Sequence, residues 1–207
     1  MIRDNREYRF MPLLKEEREE SEEATYVVEG YASTFDEYEL FRDGEDTYCE
    51  IIEPDAFHET DMSDVVFLLD HEGRVFARTR NGSVSLSVDG HGLYSKVDLS
   101  RSAAAKGVYE DIECGNYDRM SFAFIVAEDE IRHDAAAHKY LRVIKRVGKL
   151  FDISAVRFPA NPNTEIGVSA RSAFDGFIEA ERLELAAKEE KRRALEEAKA
   201  KFFEVKA

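Results

Sequence analysis

The chain has 207 residues, of which 43% are hydrophobic and 35% are charged, and this composition predicts a soluble protein with one folded domain and an extension. Its net charge of −15 argues against a nucleic-acid-binding surface, because acidic side chains repel phosphate. The longest uncharged apolar run, VVFLL at 65–69, is far shorter than the roughly 20 residues of a membrane span, so we expect no membrane partner.

Compartment and segmentation are also indicated by composition. The first residues, MIRDNREYRFMPLL, contain no apolar segment of the secretory type, so we expect the cytosol or something assembled in it. Cys49 and Cys114 form no CxxC motif and are too few to bind zinc alone, so we expect reduced structural thiols, with a disulfide between them as the alternative. Residues 171–207 contain nine Lys or Arg and nine Asp or Glu, so the acidic excess lies in 1–170. We therefore predict two segments of different character.

Sequence patterns in the first half of the chain predict three strands. A charge run before them, KEEREESEEA at 15–24, has few apolar residues and predicts a solvated loop. TYVVEGYASTF (25–35) and TYCEIIEPDAF (47–57) are rich in β-branched and aromatic residues and predict strands, the second ending in a Pro-Asp turn. DVVFLLDH (64–71) is a short apolar run typical of a strand buried on both faces, and an Asp-His pair ends it.

The second half begins with the clearest pattern in the chain. In SVSLSVDGHGLYSKVDLS (83–100), apolar and polar residues alternate on both sides of an Asp-Gly turn, which predicts a β-hairpin. SRSAAAKGVYEDIECGN (100–116) has a serine start, an alanine run and a glycine stop, and predicts a helix. Three further strands are predicted, in YDRMSFAFIVAE (117–128), KYLRVIKRV (139–147) and KLFDISAVRF (149–158).

A different texture begins at about residue 175. The stretch 177–207 is rich in Ala, Glu, Lys and Leu without Pro or Gly, and predicts one long helix that projects from the domain or pairs with another helix. The predicted fold class is therefore α+β and mainly β. We expect an antiparallel β body with one or two helices, closed into a barrel or sandwich, and a helical tail.

One serine stands beside the bulkiest residues of a predicted strand. Met120, Phe122, Phe124 and Val126 occupy alternate positions, so Ser121 faces away from them. A half-buried strand needs small or polar residues on its second face, and that requirement alone explains a serine there. The alternative is that this face lines a site in which the Ser121 hydroxyl acts as a nucleophile.

A serine nucleophile needs a histidine base and a group that orients the histidine. Of the five histidines, only His71 ends a strongly apolar strand; it is the candidate base, or it merely caps the strand. Asp152 is the candidate orienting group. By strand parity it shares a face with Leu150, Ser154 and Val156, where a carboxylate is costly unless paired. Its partner could equally be a nearby arginine with a structural role.

Metal and cofactor sites are not predicted. Asp70, His71 and Glu72 are neighbours, but successive residues of a strand point in opposite directions, and no second histidine completes a ligand spacing. The chain contains no GxGxxG, GxxxxGK[ST] or GxSxG motif. We therefore expect neither a metal nor a cofactor.

Taken together, these segments resemble the prohead maturation proteases of tailed bacteriophages. The resemblance covers roughly residues 25–168 in the family's order, and no single stretch carries it. The stretches are VVEGYASTFDE (27–37), EIIEPDAF (50–57), VVFLLDHE (65–72), HGLYSKVDLS (91–100), YDRMSFAF (117–124) and LFDISAVRFPANPNTEI (150–166).

The resemblance implies a serine endopeptidase related in fold to the herpesvirus assembly protease. It implies a herpesvirus-protease-like antiparallel β-barrel surrounded by helices in residues 1–170, with 171–207 as a charged helical tail. Its catalytic serine, histidine and acid correspond to Ser121, His71 and Asp152, although many relatives have Glu in place of the Asp.

Partners and compartment also follow from the resemblance. It implies cleavage of the major capsid protein's scaffold segment and of the enzyme itself, inside the assembling procapsid in the bacterial host cytoplasm. A homo-oligomer is compatible with this role. An alternative is a non-catalytic capsid assembly or scaffolding protein that acts through its helical tail. A ligand-carrying β-barrel is a third alternative, and no feature of the sequence marks the cavity it would need.

Overall fold

The structure is a computed structural model, and it describes residues 6–12, 26–157 and 166–204. Strands dominate the described part, which confirms the α+β, mainly β prediction. The predicted loop at 15–24 and residues 158–165 lie outside the described residues. The strands are β1 Glu7–Pro12, β2 Val27–Thr34, β3 Tyr38–Asp43, β4 Asp46–Ile52, β5 Val66–Leu69, β6 Glu72–Arg78, β7 Val84–Val88, β8 Gly92–Asp98, β9 Arg119–Asp134 and β10 Lys139–Val156, and the α-helices are α1 Ala103–Glu113 and α2 Ile166–Glu204.

The large sheet is organised around β10. β9 pairs antiparallel along one edge of β10, and along the other edge β4 lies beside 139–144 and β5 beside 152–155. β1 extends the sheet beyond β9, β3 beyond β4 and β6 beyond β5. The prediction of an antiparallel body is wrong at two places, because both β4 and β5 run parallel to β10. The two strands predicted at 139–147 and 149–158 are one strand, β10.

The predicted closed barrel is not found among the described residues. The strands form a sheet of seven strands and a separate sheet of three, in the order β2-β8-β7. In the described ladders β1 pairs with β9 alone and β3 pairs with β4 alone. A barrel requires a ladder that returns to its first strand, so the seven-stranded sheet is open.

The core is one hydrophobic cluster that contains side chains from both sheets and from α1. Burial of these apolar side chains is the main force that holds the sheets and α1 together. The predicted hairpin and helix are confirmed as β7–β8 and α1. The side chain of Ser102 accepts a hydrogen bond from the amide of Ala105 at the start of α1, and Gly115 has a left-handed φ of 81° after its end.

A buried ion cluster anchors β1 to the large sheet. The Arg9 guanidinium binds Glu50, with 2.5 Å between Nε and Oε1, and Arg142 binds Glu7, with 2.6 Å between Nη1 and Oε2. Burial raises the pKa of the Glu7 carboxyl, but hydrogen bonds and charge from the two arginines outweigh burial and hold it below its usual value. Burial lowers the pKa of Arg9, but the charges and hydrogen bonds around it, those of Glu50 first, together outweigh burial and raise that pKa well above its usual value.

The chain divides by its internal contacts into Met1–Ser169 and Ala170–Ala207. α2 begins at Ile166, earlier than the predicted start near residue 175. Within the second unit, Leu183, Leu185 and Leu195 are each more than half exposed. No helix in the described residues has the length and apolarity that crossing a membrane requires.

Candidate active site

The register between β9 and β10 determines which side chains share the polar face. Ser121 lies opposite Ser154, and Asp152 lies opposite Ala123. Phe122 lies opposite Ile153 on the other face, where both are fully buried in the core. Since side chains alternate along a strand, Ser121, Asp152 and Ser154 project from one face of the sheet. Ser121 therefore faces away from the core phenylalanines, as the sequence predicts.

An irregularity at Phe151 corrects one sequence-based assignment. Leu150 lies opposite Phe124, whereas Asp152 lies opposite Ala123, so the pairing shifts by one residue between them. An extra residue in one strand reverses the alternation of its side chains. The prediction that Leu150 shares a face with Asp152 is therefore wrong. Leu150 packs in the core, and Asp152 lies on the face of Ser121.

His71 comes from the turn between β5 and β6. Asp70 and His71 are the two residues of this turn, and both have positive φ, 48° and 59°. Such φ values suit a tight hairpin but cost non-glycine residues about 1–2 kcal/mol each. The Asp70 amide donates to the Ala155 carbonyl oxygen at 3.0 Å, and its carboxylate lies 2.8 Å from Arg157 Nε. These contacts hold the turn against the end of β10.

The turn places the imidazole between the serine and the acid. His71 Nε2 lies 2.6 Å from Ser121 Oγ, and His71 Nδ1 lies 2.5 Å from Asp152 Oδ1. Ser121 has no exposed surface, and the side chains of Asp152 and His71 are 5% and 13% exposed. The three predicted site residues are therefore brought together from positions 50 and 81 residues apart in the chain.

This arrangement allows the Ser121 hydroxyl to transfer its proton to His71. With Asp152 ionised, Nδ1 carries the proton that it donates to the carboxylate, and Nε2 is free to accept the proton of the Ser121 hydroxyl. A serine that loses its proton in this way is a competent nucleophile. The structural alternative for Asp152 is not favoured, because its observed partners are His71 and Ser154 rather than an arginine.

Two further residues contact the site and were not identified from the sequence. Ser154 Oγ donates to Asp152 Oδ1 at 2.8 Å, and the Tyr8 ring packs edge-on against His71 with ring centroids 4.6 Å apart. The sequence could have identified Ser154, since it lies two residues from Asp152 in an apolar strand. It could not have identified Tyr8, because β1 was not predicted. Arg157, the residue that follows β10, binds Asp70.

Comparison with known proteins gives one match. A family model described as caudovirus prohead serine protease matches residues 13–175, well over half of the chain, and this range contains His71, Ser121 and Asp152. Comparison with curated proteins gives no match, and neither does comparison with solved structures. The likeness in fold to the herpesvirus assembly protease therefore stays a prediction.

Proposed function

The chain belongs to the caudovirus prohead serine protease family, and from this premise we propose that it is an endopeptidase that cleaves scaffold segments of the capsid protein, and itself, during procapsid maturation. Its place of action is the assembling procapsid in the host cell. Its partners are the major capsid protein and other copies of the same chain. In this proposal residues 1–170 form the protease domain, and 171–207 form a charged tail.

The observation that best supports this proposal is the single imidazole that bridges a serine and a buried acid. In the proposed reaction, His71 Nε2 takes the Ser121 proton while Oγ attacks the peptide carbonyl carbon. The imidazolium then gives its proton to the departing amine, which leaves an ester on Ser121. Water deprotonated by His71 hydrolyses the ester and restores the serine hydroxyl.

Asp152 has the third role in the proposed reaction. Its carboxylate accepts the Nδ1 proton at 2.5 Å, which keeps Nε2 unprotonated and directed at Ser121. The carboxylate also stabilises the imidazolium that forms when the serine proton is taken. An aspartate side chain is one methylene shorter than glutamate, and the short Nδ1 to Oδ1 distance means that this loss of reach is compensated here.

Substrate access requires a local movement. Ser121 has no exposed surface, so a peptide carbonyl reaches its Oγ only after a neighbouring side chain shifts. Tyr8 is the neighbour that packs on the imidazole, and it belongs to β1, the strand beside β9. We expect substrate binding to displace the Tyr8 ring rather than β1, whose buried ion pairs hold the strand in place.

The test is co-expression of the full chain with its neighbouring capsid protein, wild type against Ser121→Ala, followed by intact-mass analysis. Fragments of the capsid protein or of the protease from wild type alone support the enzyme. Intact chains from both, in a mixture shown to assemble shells, contradict it and favour the non-catalytic assembly protein. The exposed leucines of α2 would then be the surface to examine.

A further inference from the structure

Ser154 is a buried polar side chain that the reaction described above does not use. It has no exposed surface and lies directly opposite Ser121 on the neighbouring strand. Its Oγ donates to Asp152 Oδ1 at 2.8 Å and lies 3.2 Å from His71 Nδ1. Ser154 therefore contacts the acid and the base at once, from the side of the imidazole opposite the nucleophile.

The hydroxyl proton of Ser154 has one suitable acceptor. Nδ1 carries its own proton when it donates to Asp152, so it cannot accept a second one. The carboxylate oxygen that accepts from Nδ1 also accepts from Ser154, which fixes that oxygen from two directions. Without the hydroxyl, the Asp152 carboxylate would keep His71 as its one described side-chain partner and could rotate about its terminal bond.

We propose that Ser154 is a positioning residue that holds the Asp152 carboxylate in the orientation at which it accepts the His71 Nδ1 proton. Its effect on catalysis runs through Asp152 and His71, so it need not touch the substrate. This inference rests on the proposed peptidase function for its kinetic consequence, but its structural content, the geometry of the His71–Asp152 hydrogen bond, does not depend on activity.

The experiment compares wild type with Ser154→Ala in two measurements on the full chain. The first is the rate at which a fluorophosphonate labels Ser121. This rate is measured by intact mass at several pH values. The second is the NMR signal of the His71 Nδ1 proton in protein labelled with ¹⁵N-histidine, assigned by its loss in His71→Asn. We expect labelling to slow about tenfold or more at neutral pH and the Nδ1 signal to shift or broaden.

The matched control is Ser95→Ala. Ser95 is also a buried serine on a strand, and its Oγ donates one hydrogen bond, to the Gly30 carbonyl oxygen at 2.9 Å. If Ser154 were merely structural, the two alanine variants would change labelling and the Nδ1 signal alike. If Ser154 positions Asp152, both measurements should stay as in wild type for Ser95→Ala. Ser154→Thr, which keeps the hydroxyl, should retain the Nδ1 signal. Ser154→Cys, whose thiol is only a weak donor, serves as the second variant if Ser154→Ala does not fold, and it should change labelling and the Nδ1 signal in the same direction.

The outcomes separate the two proposals. Wild-type protein that is never labelled and yields no fragments contradicts the peptidase function, while a changed Nδ1 signal in Ser154→Ala still supports the positioning role. An unchanged Nδ1 signal together with an unchanged labelling rate in Ser154→Ala overturns the positioning role and leaves the peptidase function standing. Equal changes in Ser154→Ala and Ser95→Ala also overturn it.

Discussion

Replacing Glu50 by glutamine should destabilise the fold far more than its size suggests. The Glu50 side chain is fully buried and accepts hydrogen bonds from Arg9 at 2.5 and 2.6 Å, from Arg142 at 3.3 Å and from the Tyr38 hydroxyl. Glutamine fits the same space, but it removes the negative charge, and in either orientation its amide donor faces the Arg9 guanidinium, which donates to both carboxylate oxygens of Glu50. The change therefore tests the charge and not the volume.

The magnitude follows from burial. Arg9 and Arg142 are 1% and 4% exposed, so neither guanidinium can replace the lost partner with bulk water. Breaking a buried pair by neutralising one member costs about 3–5 kcal/mol. We expect about 3 kcal/mol here, at the lower end, because Glu7 still pairs with both arginines. That is a large part of the roughly 5–15 kcal/mol by which a domain is stable.

The assay is urea unfolding at neutral pH. With a slope of about 2 kcal/mol per molar urea, a loss of about 3 kcal/mol lowers the midpoint by about 1.5 M. Glu39→Gln is the matched control, because its carboxylate pairs with Arg42 at an exposed position and should leave the midpoint unchanged. Equal midpoints for Glu50→Gln and Glu39→Gln would refute the reasoning, since the buried cluster would then contribute no more than a surface pair.

Three other outcomes are expected. Asp152→Asn should lower the cleavage rate by about 10⁴ without unfolding the protein, because an amide that donates to Nδ1 stabilises the wrong imidazole tautomer; a rate within tenfold of wild type would contradict the assigned role. Gly92→Ala should cost about 1–3 kcal/mol in urea unfolding, because its new Cβ would lie 2.0 Å from a backbone oxygen on β2, whereas Gly90→Ala meets nothing within 4 Å and should be neutral. Acid should destabilise the protein through Glu7, because the pKa of its carboxyl is lower in the folded state than in the unfolded state. The stability that Glu7 contributes is therefore fully present above its unfolded-state pKa near 4.5 and is lost as the pH falls through its folded-state pKa. Thermal melting measured from pH 7 to pH 3 should show this loss in wild type and a smaller one in Glu7→Gln.

Local sequence patterns were enough to predict those elements in which apolar residues are buried, polar residues are exposed, and serine or glycine caps a helix. The alternation in 83–100 predicted β7 and β8, and the serine and glycine of 100–116 predicted both ends of α1. These elements are stabilised by contacts whose chemistry is visible in a few neighbouring residues. The same is true of the alternation that assigned Ser121 to the face opposite the core phenylalanines.

The first strand could not be predicted because its pattern is inverted. Glu7 and Arg9 point into the protein, where ion pairs bury them, and Tyr8 between them lies on the face of the candidate site. A reading that counts charged residues as exposed assigns both faces wrongly. Only the partners of these charges, Glu50 and Arg142, explain their burial, and those lie 41 and 135 residues away in the sequence.

The geometry of the site depended on two irregular backbone features. The register shift at Phe151 and the left-handed turn at Asp70 and His71 both lack the glycine that usually marks such positions. The strand patterns offered the serine, the histidine and the acid as candidates, and the family resemblance implied their roles. The distances between them depend on these two backbone irregularities. Gly148 separates the predicted strands 139–147 and 149–158, but it lies within β10, where a Cβ added to it would be 3.3 Å from the Cβ of Ala127.

The position of β10 has a consequence for the timing of activity. Without β10, the large sheet falls apart into the pairs β1–β9, β3–β4 and β5–β6. Two-stranded pieces are at best marginally stable in water, so β9, which carries Ser121, and the β5–β6 hairpin, which carries His71, are not joined in one sheet until residues 139–156 pair with both. Synthesis from the N-terminus delivers β10 last among the strands of the sheet. If Ser121, His71 and Asp152 act as proposed, a nascent chain therefore has no assembled site on the ribosome before the strand that bears Asp152 has emerged.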